Sequence, residues 1–152
     1  MLFNRRTNAF IIGCSNMGAY IASQLSSQGY DVTIIDKNEK SFRILPDSYS
    51  GFKTLGNGTD FDFLDSQDIK SADIVLVSTD DDNVNCYIAQ YLKLILKLPI
   101  VITRIYNQEK SLVLKDSGIK IIYPTELVSK EFFHVLTDIE VEEEQKKEDE
   151  KK

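Results

Sequence analysis

Residues 10–20 of the chain read FIIGCSNMGAY, and this stretch does most to decide the expected fold. An apolar run leads into Gly13, and a loop of small residues then leads to Gly18 and to apolar residues at helical spacing. The pattern approximates G-x-G-x-x-G, which in a strand-to-helix turn presents free backbone N–H groups to phosphate. Ser15 replaces the middle glycine; its side chain narrows the approach of a phosphate, but its hydroxyl can donate a hydrogen bond to one. The loop therefore predicts a nucleotide site, and an empty glycine turn is the alternative.

Short apolar runs alternate with segments of helical spacing along the rest of the chain. Strands are predicted at residues 8–12, 31–36, 52–55, 73–78, 100–105 and 119–123. Helices are predicted after the glycine loop and at residues 39–45, 62–67, 83–96, 108–116 and 127–136. This alternation favours a parallel sheet with helices on both faces, and right-handed crossovers then leave a doubly wound arrangement. The predicted fold class is α/β: a Rossmann-like, doubly wound, six-stranded parallel sheet in three layers.

The composition excludes several classes of protein. The 152 residues are 42% hydrophobic and 28% charged, which suits one globular domain. The net charge of -6 gives no basic surface for nucleic acid. The two cysteines lack the spacing of a metal site and are too few for a disulfide scaffold. Because no signal-peptide pattern and no bilayer-spanning apolar run occur, we expect a cytoplasmic protein without direct membrane insertion.

The last fifteen residues differ from the rest of the chain. Residues 138–152 carry eight acidic and four basic side chains and almost no apolar residue after Val141. Such a segment buries too little surface to offset its ordering entropy. The predicted organisation is a nucleotide-binding domain at residues 1–137 and a charged, disordered or frayed helical tail at residues 138–152.

A carboxylate ends the second predicted strand. Asp36 follows Gly18 by 18 residues, close to the spacing at which an acid accepts hydrogen bonds from both hydroxyls of a dinucleotide ribose. The same charge would repel a 2′-phosphate, so NADP is disfavoured. Lys37 follows in the same loop and is counted with the site. An ordinary acid in a strand-end turn is the alternative.

Two more loops are predicted at the same edge of the sheet. The two glycines of GNGTD, residues 56–60, permit a tight turn after the third strand, and the amide oxygen of Asn57 can accept a hydrogen bond from an adenine amino group. Thr59 or Asp60 can cap the next helix. The segment STDDDN, residues 78–83, faces the crevice where strand order reverses. Its hydroxyls can reach phosphate or ribose, and its aspartates can cap a helix or hold a cation.

Taken in order, the segments GCSNMG, VTIID, GNGTD, DIVLVSTDDDNVN, VITRIYN and IKIIYPTE resemble the N-terminal nucleotide-binding lobe of the TrkA/RCK family, the regulators of K⁺ conductance. The likeness extends from about residue 8 to residue 136. It implies that Arg104 lies near the phosphates or a dimer interface and that Glu126 is a candidate for a divalent cation between subunits. Ser15, Asn16 and Asn57 depart from the glycine, arginine and aspartate of many members, which puts a triphosphate preference in doubt.

The resemblance implies a nucleotide-sensing regulatory subunit that gates K⁺ transport and has no enzymatic activity. It would bind NAD, NADH, AMP, ADP or ATP and form a homodimer or a higher ring assembly. It would lie in the cytoplasm at the inner face of the cell membrane, with a separate membrane channel or transporter subunit as partner. The alternatives are a small NAD-dependent reductase, an S-adenosylmethionine-dependent methyltransferase-like enzyme, or a nucleotide-binding module with an unrelated partner. His134, the single histidine, is expected to be a packing or surface residue.

The candidate site has no catalytic and no metal-binding member. Its predicted nucleotide-binding residues come from five loops of the predicted sheet: Gly13, Cys14, Ser15, Asn16, Met17, Gly18, Asp36, Lys37, Gly56, Asn57, Gly58, Thr59, Ser78, Thr79, Asp80 and Arg104.

Overall fold

The computed structural model describes residues 6–152 and contains one six-stranded parallel sheet in the order β3-β2-β1-β4-β5-β6. The strands are β1 (Asn8–Ile12), β2 (Asp31–Asp36), β3 (Phe52–Leu55), β4 (Ile74–Val77), β5 (Ile100–Arg104) and β6 (Lys120–Ile122). Every pair of neighbours is parallel. The order reverses between β1 and β4, which is the arrangement of a doubly wound sheet. The predicted Rossmann-like α/β class is confirmed, and each strand lies within a residue or two of its predicted place.

The central strands are apolar because both of their faces are covered. Ile11 on β1 lies opposite Ile34 on β2 and Leu76 on β4, and all three side chains are buried. One helix over this face contributes Ala19 and Ala22 to the same cluster. Small side chains at these two positions let the helix backbone approach the sheet, so both alanines have a packing role.

Several of the predicted helices differ from the observed ones in length or in type. They are α1 (Asn16–Ser27), α2 (Phe61–Ser66), α3 (Asp82–Gln90) and α4 (Pro124–Asp149). The predicted helices at residues 39–45 and 108–116 are 3₁₀ segments, Glu39–Ile44 and Gln108–Leu114. Both begin at an asparagine whose side chain accepts a hydrogen bond from the backbone two residues later, at 3.1 Å for Asn38 and 3.0 Å for Asn107. This local turn competes with an α-helical start. The predicted helix at residues 83–96 changes to a π-helical turn at Tyr91–Ile95.

The last helix is longer than predicted. α4 begins at Pro124, which suits a first helical position, and continues to Asp149, whereas the sequence predicts a helix only at residues 127–136. The charged end is rich in glutamate and lysine, which are good helix formers, and places lysines four residues after glutamates. The chain divides between Ile122 and Tyr123 into two compact units, and α4 belongs to the second. The predicted domain boundary at residue 137 stays a prediction.

The length and apolar character of the helices decide whether any of them can cross a membrane. Within residues 6–152, none of them combines the length and the apolar character that crossing a membrane requires.

We predict that deleting residues 142–152, which lie beyond the last apolar residue of the chain, leaves the melting temperature within about 2 °C of that of the full chain. All of these residues are exposed and α4 has no buried side chain, so the deletion removes little buried surface. Differential scanning calorimetry of both chains measures the change. A fall of more than about 4 °C, roughly 1 kcal/mol for a domain of this size, would show that the segment belongs to the cooperative unit.

Candidate functional site

The glycine loop packs directly on the end of β4. Gly13 has a φ of 104°, and a Cβ there would lie 2.6 Å from the carbonyl carbon of Ser78 and from the amide nitrogen of Thr79. A Cβ on Gly18 would collide with the carbonyl oxygen of Gly13 and lie 2.7 Å from Ser78 Oγ. Ser78 Oγ in turn donates to the Gly13 carbonyl oxygen at 3.0 Å. Both glycines are therefore needed to close the loop onto the sheet.

Ser15 begins α1 as its N-cap. Its Oγ accepts a hydrogen bond from the backbone N–H of Gly18 at 3.1 Å. The twelve residues of α1 give its N-terminus an aligned backbone dipole, and the N–H groups of its first turn lie beside the loop. The replacement of the middle glycine thus leaves an intact helix start at the place where phosphate is expected.

Asp36 joins the end of β2 to the glycine loop. Its carboxylate accepts hydrogen bonds from the backbone N–H of Cys14 at 2.9 Å and of Asn38 at 2.8 Å, one on each oxygen. Each carboxylate oxygen has a second lone pair, so acceptor capacity for ribose hydroxyls remains. The sequence predicts this residue at the site but not its bond to the loop.

Cys14 is an unreactive member of the loop. Its side chain is buried and its Sγ lies 3.3 Å from the backbone oxygen of Ser41. Burial, and then the nearby Asp36 carboxylate, raises the pKa of this thiol to about 11. The thiol therefore stays protonated at neutral pH, and its role is to pack the loop against the segment after β2.

The loop after β3 is ordered by its own side chains. The amide oxygen of Asn57 accepts hydrogen bonds from the backbone N–H of Thr59 at 3.0 Å and from its Oγ1 at 2.8 Å. Asp60, rather than Thr59, caps α2 through Phe63 N–H at 3.1 Å. Because both lone pairs of the Asn57 oxygen are taken, a contact with adenine would use its NH₂ group as donor, not its oxygen as the sequence analysis expected.

The loop after β4 is held by a buried asparagine that the sequence analysis missed. Asn85 on α3 is fully buried, and its Oδ1 accepts from Thr79 N–H at 3.0 Å and from Thr79 Oγ1 at 2.5 Å. Its Nδ2 donates to the carbonyl oxygens of Thr79 at 3.1 Å and Arg104 at 2.9 Å. The hydroxyls of Ser78 and Thr79 are thus bonded within the protein, where they fix the backbone of the loops.

The aspartates of this loop have separate structural partners. Asp81 caps α3, accepting from Asn83 and Val84 N–H groups at 2.8 and 3.1 Å. Asp82 accepts from the backbone N–H groups of Tyr106 and Asn107, at 3.0 and 2.9 Å. The contacts of Asp81 agree with the helix-capping alternative, whereas Asp82 bonds the segment after β5. Within residues 6–152, no cluster of three or more histidine, cysteine or carboxylate side chains has the geometry of a metal site.

Arg104 lies at the end of β5, behind the glycine loop. It is only 5% exposed, and its Nη2 donates to the carbonyl oxygens of Ser78 at 3.2 Å and Thr79 at 2.7 Å. Its Nη1 donates to Ser15 Oγ at 3.3 Å. Asp80, whose side chain is 99% exposed, lies 3.6 Å from Nη2. The guanidinium therefore connects the loops after β1 and β4.

These loops surround one open cleft of about 410 Å³, a size typical of small-molecule sites. Twelve of the predicted residues line it: Gly13, Cys14, Ser15, Asp36, Lys37, Gly56, Asn57, Gly58, Thr59, Ser78, Thr79 and Asp80. Four charged residues line the cleft: Asp36, Asp80, Asp81 and Lys37.

Four predicted residues lie outside this lining. Met17 packs against the core cluster under α1, and Gly18 is buried where the helix meets the loop. Asn16 is exposed at the first position of α1, and Arg104 lies behind Ser15 and the β4 loop. A sequence motif specifies spacing along the chain, but successive side chains of a helix point in different directions, so not every residue of the motif faces the cleft.

The lining also includes residues that the sequence analysis missed: Ile12, Ile35, Asn38, Ser41, Asp81, Val84 and Ile88. Ile12 and Ile35 end β1 and β2, so their place at the carboxyl edge of predicted strands was a usable signal. Val84 and Ile88 are four residues apart on one face of α3, a spacing that the sequence shows but that does not say what the face contacts.

A sequence comparison identifies the family of this arrangement. The profile of the TrkA-N domain matches residues 9–124, which is most of the chain and every loop of the cleft. The chain belongs to the TrkA-N domain family. The predicted family resemblance is thereby confirmed. The Trk system potassium uptake protein TrkA of Streptomyces coelicolor is 32% identical to this TrkA-N chain over 109 residues, covering 72% of the chain and 49% of the relative. This chain thus spans about half the length of that curated relative.

Solved structures share the fold at low sequence identity. The GsuK channel bound to NAD superposes with a TM-score of 0.76 at 20% identity, covering 90% of this TrkA-N chain and 24% of that chain. The TrkA-N domain of the inner membrane protein ybaL from Escherichia coli gives 0.74 at 12% identity, covering 88% and 99%. The AMP-bound C-terminal domain of Kef from Shewanella denitrificans gives 0.63 at 20% identity, covering 86% and 81%. At these identities the likeness shows the Rossmann-like fold.

We predict that Asn85→Ala lowers the free energy of unfolding of this TrkA-N domain by about 2–4 kcal/mol. The change removes four hydrogen bonds. The Thr79 carbonyl oxygen keeps its bond from Arg104 Nη2, but the Thr79 N–H and the Arg104 carbonyl oxygen lose the Asn85 side chain, and each unsatisfied group costs about 1–3 kcal/mol before relaxation. Urea denaturation followed by circular dichroism measures the loss. Asn83→Ala on the same helix is the matched control, because Asn83 is exposed. Equal effects from the two variants would contradict the role given to Asn85.

Proposed function

We propose that this TrkA-N domain is a nucleotide-sensing regulatory subunit of a potassium uptake channel or transporter, with an adenine nucleotide as its ligand. The observation that carries the proposal is the convergence of the glycine loop, Asp36 and the Asn57 loop on one cleft. The three features suit the phosphate, the ribose and the adenine of a nucleotide, in that order. Their meeting at the carboxyl edge of the strands, where the sheet order reverses, is the usual ligand position in this class of fold.

The ligand would lie across the cleft in a defined direction. The N–H groups at the start of α1 would bind phosphate, and the Asp36 carboxylate would accept hydrogen bonds from the ribose. Asn57 would contact adenine through its NH₂ group. Ile12, Val84 and Ile88 would supply apolar surface for the flat face of the base. The three lining aspartates oppose high phosphate charge, which favours AMP or NAD over ATP.

The regulatory role is proposed from the relatives. The matched relatives are named for potassium uptake, and two of the similar structures contain NAD or AMP. In the proposal, the domain lies in the cytoplasm against the inner face of the membrane and a separate subunit supplies the pore. The ligand would act by binding one arrangement of the assembly more tightly than another, since only differential affinity shifts such an equilibrium.

The cleft favours sensing over catalysis. Its titratable side chains are Cys14, Lys37 and three aspartates, with neither histidine nor tyrosine among the lining residues. The Cys14 thiol, with its raised pKa of about 11, is a poor nucleophile. His134 lies on α4 with an exposed side chain. A small NAD-dependent reductase or an S-adenosylmethionine-dependent methyltransferase-like enzyme is the alternative, and ligand preference separates it from a nucleotide sensor.

We predict that AMP, ADP or NAD, but not S-adenosylmethionine, raises the melting temperature of the chain. A ligand at about 100 times its Kd stabilises the folded state by about 2.7 kcal/mol. Differential scanning fluorimetry with AMP, ADP, ATP, NAD, NADH and S-adenosylmethionine compares them directly. Stabilisation by S-adenosylmethionine alone would refute the sensor proposal, and stabilisation by none of them would refute nucleotide binding.

We predict that Asp36→Asn weakens NAD binding at least about 10-fold, because a carboxylate accepts hydrogen bonds from ribose more strongly than an amide does. The variant also discriminates less between NAD and NADP, since the repulsion of a 2′-phosphate is lost. Isothermal titration calorimetry measures both affinities. Asp31→Asn is the matched control, because Asp31 starts the same strand at the opposite edge of the sheet. An unchanged preference for NAD would mean that the ribose binds elsewhere.

We also propose that α4 joins two copies of the chain. Four apolar residues, Val128, Phe132, Val135 and Ile139, follow one another at intervals of four, three and four and form what we call the α4 stripe. Each exposes between 47% and 69% of its surface. Alternating intervals of three and four place apolar side chains on one helix face and are typical of a coiled-coil seam. Because a second copy of the chain carries the same stripe, the two stripes can pack against each other.

We predict that Phe132→Glu shifts the chain from dimer towards monomer, because a buried carboxylate in a seam between helices is unfavourable. Analytical ultracentrifugation over a range of concentrations measures the association constant. Phe133→Glu is the matched control: it is the same substitution one position along the helix, about 100° away from the α4 stripe. A wild-type chain that stays monomeric, or two variants with equal association, would refute the stripe as the interface.

A further inference from the structure

The Ser15 hydroxyl accepts two hydrogen bonds within the protein and donates none in the described part of the chain. Its Oγ accepts from the N–H of Gly18 at 3.1 Å and from Nη1 of Arg104 at 3.3 Å. A hydroxyl has two acceptor lone pairs and one hydrogen to donate. Both lone pairs are therefore occupied, and within residues 6–152 no acceptor takes the hydroxyl hydrogen. Since Ser15 is half-buried and lines the cleft, that hydrogen is available to a ligand there.

The positively charged guanidinium of Arg104 lies behind the Ser15 hydroxyl. The guanidinium is 5% exposed, and its Nη2 is fixed by the carbonyl oxygens of Ser78 and Thr79. Its Nε has no hydrogen-bond partner in the described part of the chain. The acid nearest to it, Asp80, lies at 3.6 Å with a side chain 99% exposed, so water screens that pair strongly. The arginine's charge is thus met by two carbonyl oxygens and by the Tyr106 ring, whose centroid lies 5.2 Å from its Cζ, and no buried carboxylate in the described part of the chain neutralises it.

We propose that Ser15 is a phosphate-contacting donor whose hydroxyl is oriented and polarised by Arg104. In this arrangement Arg104 is a positioning residue, since it lies outside the cleft lining and acts through Ser15. The pair makes the cleft select phosphate-bearing adenine ligands over adenosine. This inference rests on the proposed nucleotide site and adds to it the group that replaces the usual middle glycine.

The two roles of position 15 predict opposite results for one substitution. If the position only needs to be small, Ser15→Gly restores the usual glycine and tightens AMP binding, because the backbone comes closer to the phosphate. If the hydroxyl is a donor, Ser15→Gly weakens AMP binding by about 10-fold, the usual effect of losing a hydrogen bond to a charged group. Glycine is an acceptable N-cap, so α1 itself loses little stability.

The experiment compares AMP with adenosine by isothermal titration calorimetry for the full chain and its Ser15→Gly, Ser15→Ala and Ser15→Thr variants. We expect Ser15→Gly and Ser15→Ala to bind AMP about 10-fold more weakly with little change for adenosine. Ser15→Thr keeps a hydroxyl and a cap and should retain affinity within about 3-fold. Equal or tighter AMP binding by Ser15→Gly, or equal losses for adenosine and AMP, overturns the inference.

Variants of the charged partners test the positioning role. We expect Arg104→Gln to lower the AMP-to-adenosine affinity ratio about 10-fold and Arg104→Lys to recover part of it, because an ammonium keeps the charge. We expect Asp80→Asn to raise AMP affinity by up to about 3-fold at low salt and less at high salt. Asp116→Asn is its matched control, since Asp116 is exposed and lies outside the cleft lining. An Arg104→Gln protein that melts normally and keeps the wild-type ratio overturns the role of Arg104.

Failure of this inference can be told from failure of the proposed function. If the wild-type chain binds neither AMP nor adenosine, the nucleotide site itself is refuted and the role of Ser15 with it. If the wild-type chain binds AMP and the Ser15→Gly variant binds it as well or better, the site stands and only the Ser15–Arg104 pair is refuted.

Discussion

The cleft depends on one close contact, that of the Gly13 backbone with the end of β4. No side chain fits between them, since a Cβ on Gly13 would lie 2.6 Å from backbone atoms of Ser78 and Thr79. This contact draws the loops after β1 and β4 together at the reversal of the sheet and turns α1 so that its N-terminus faces the cleft. Ser15 can cap the helix and face a ligand only because Gly13 has already placed the loop.

Polar side chains from distant parts of the chain make this arrangement rigid. Asn85 from α3 and Arg104 from β5 together bond the backbone of Thr79 at its N–H and its carbonyl oxygen. On the other side of the glycine loop, the Asp36 carboxylate accepts a hydrogen bond from the Cys14 N–H and so fixes the backbone there. Buried polar networks of this kind specify one geometry, because each unpaired member would be costly. The backbone that faces a ligand is therefore set before the ligand arrives, which lowers the ordering cost of binding.

Most charged side chains at the surface of the cleft are negative, and a positive side chain is buried behind it. Three of the four charged lining residues are aspartates, while the buried cation Arg104 lies behind the glycine loop. A ligand with one or two phosphates would gain from the helix N-terminus and the arginine without bringing a long negative chain past the aspartates. Under the proposed function, this division of charge would let a site whose middle glycine is replaced by serine bind an anion.

The sequence by itself determined the sheet, because buried parallel strands need continuous apolar runs, and those runs stand out between glycines and helical spacing. It also determined most of the lining, since in this fold residues just after the strands meet at one edge. Only the tertiary structure decided that the Asn57 oxygen is bonded to Thr59, that the Ser78 and Thr79 hydroxyls are bonded internally, and that Asn85 and Arg104 hold the loops. A motif fixes positions along the chain, but which lone pair or hydrogen stays free depends on partners that lie far away in sequence and near in space.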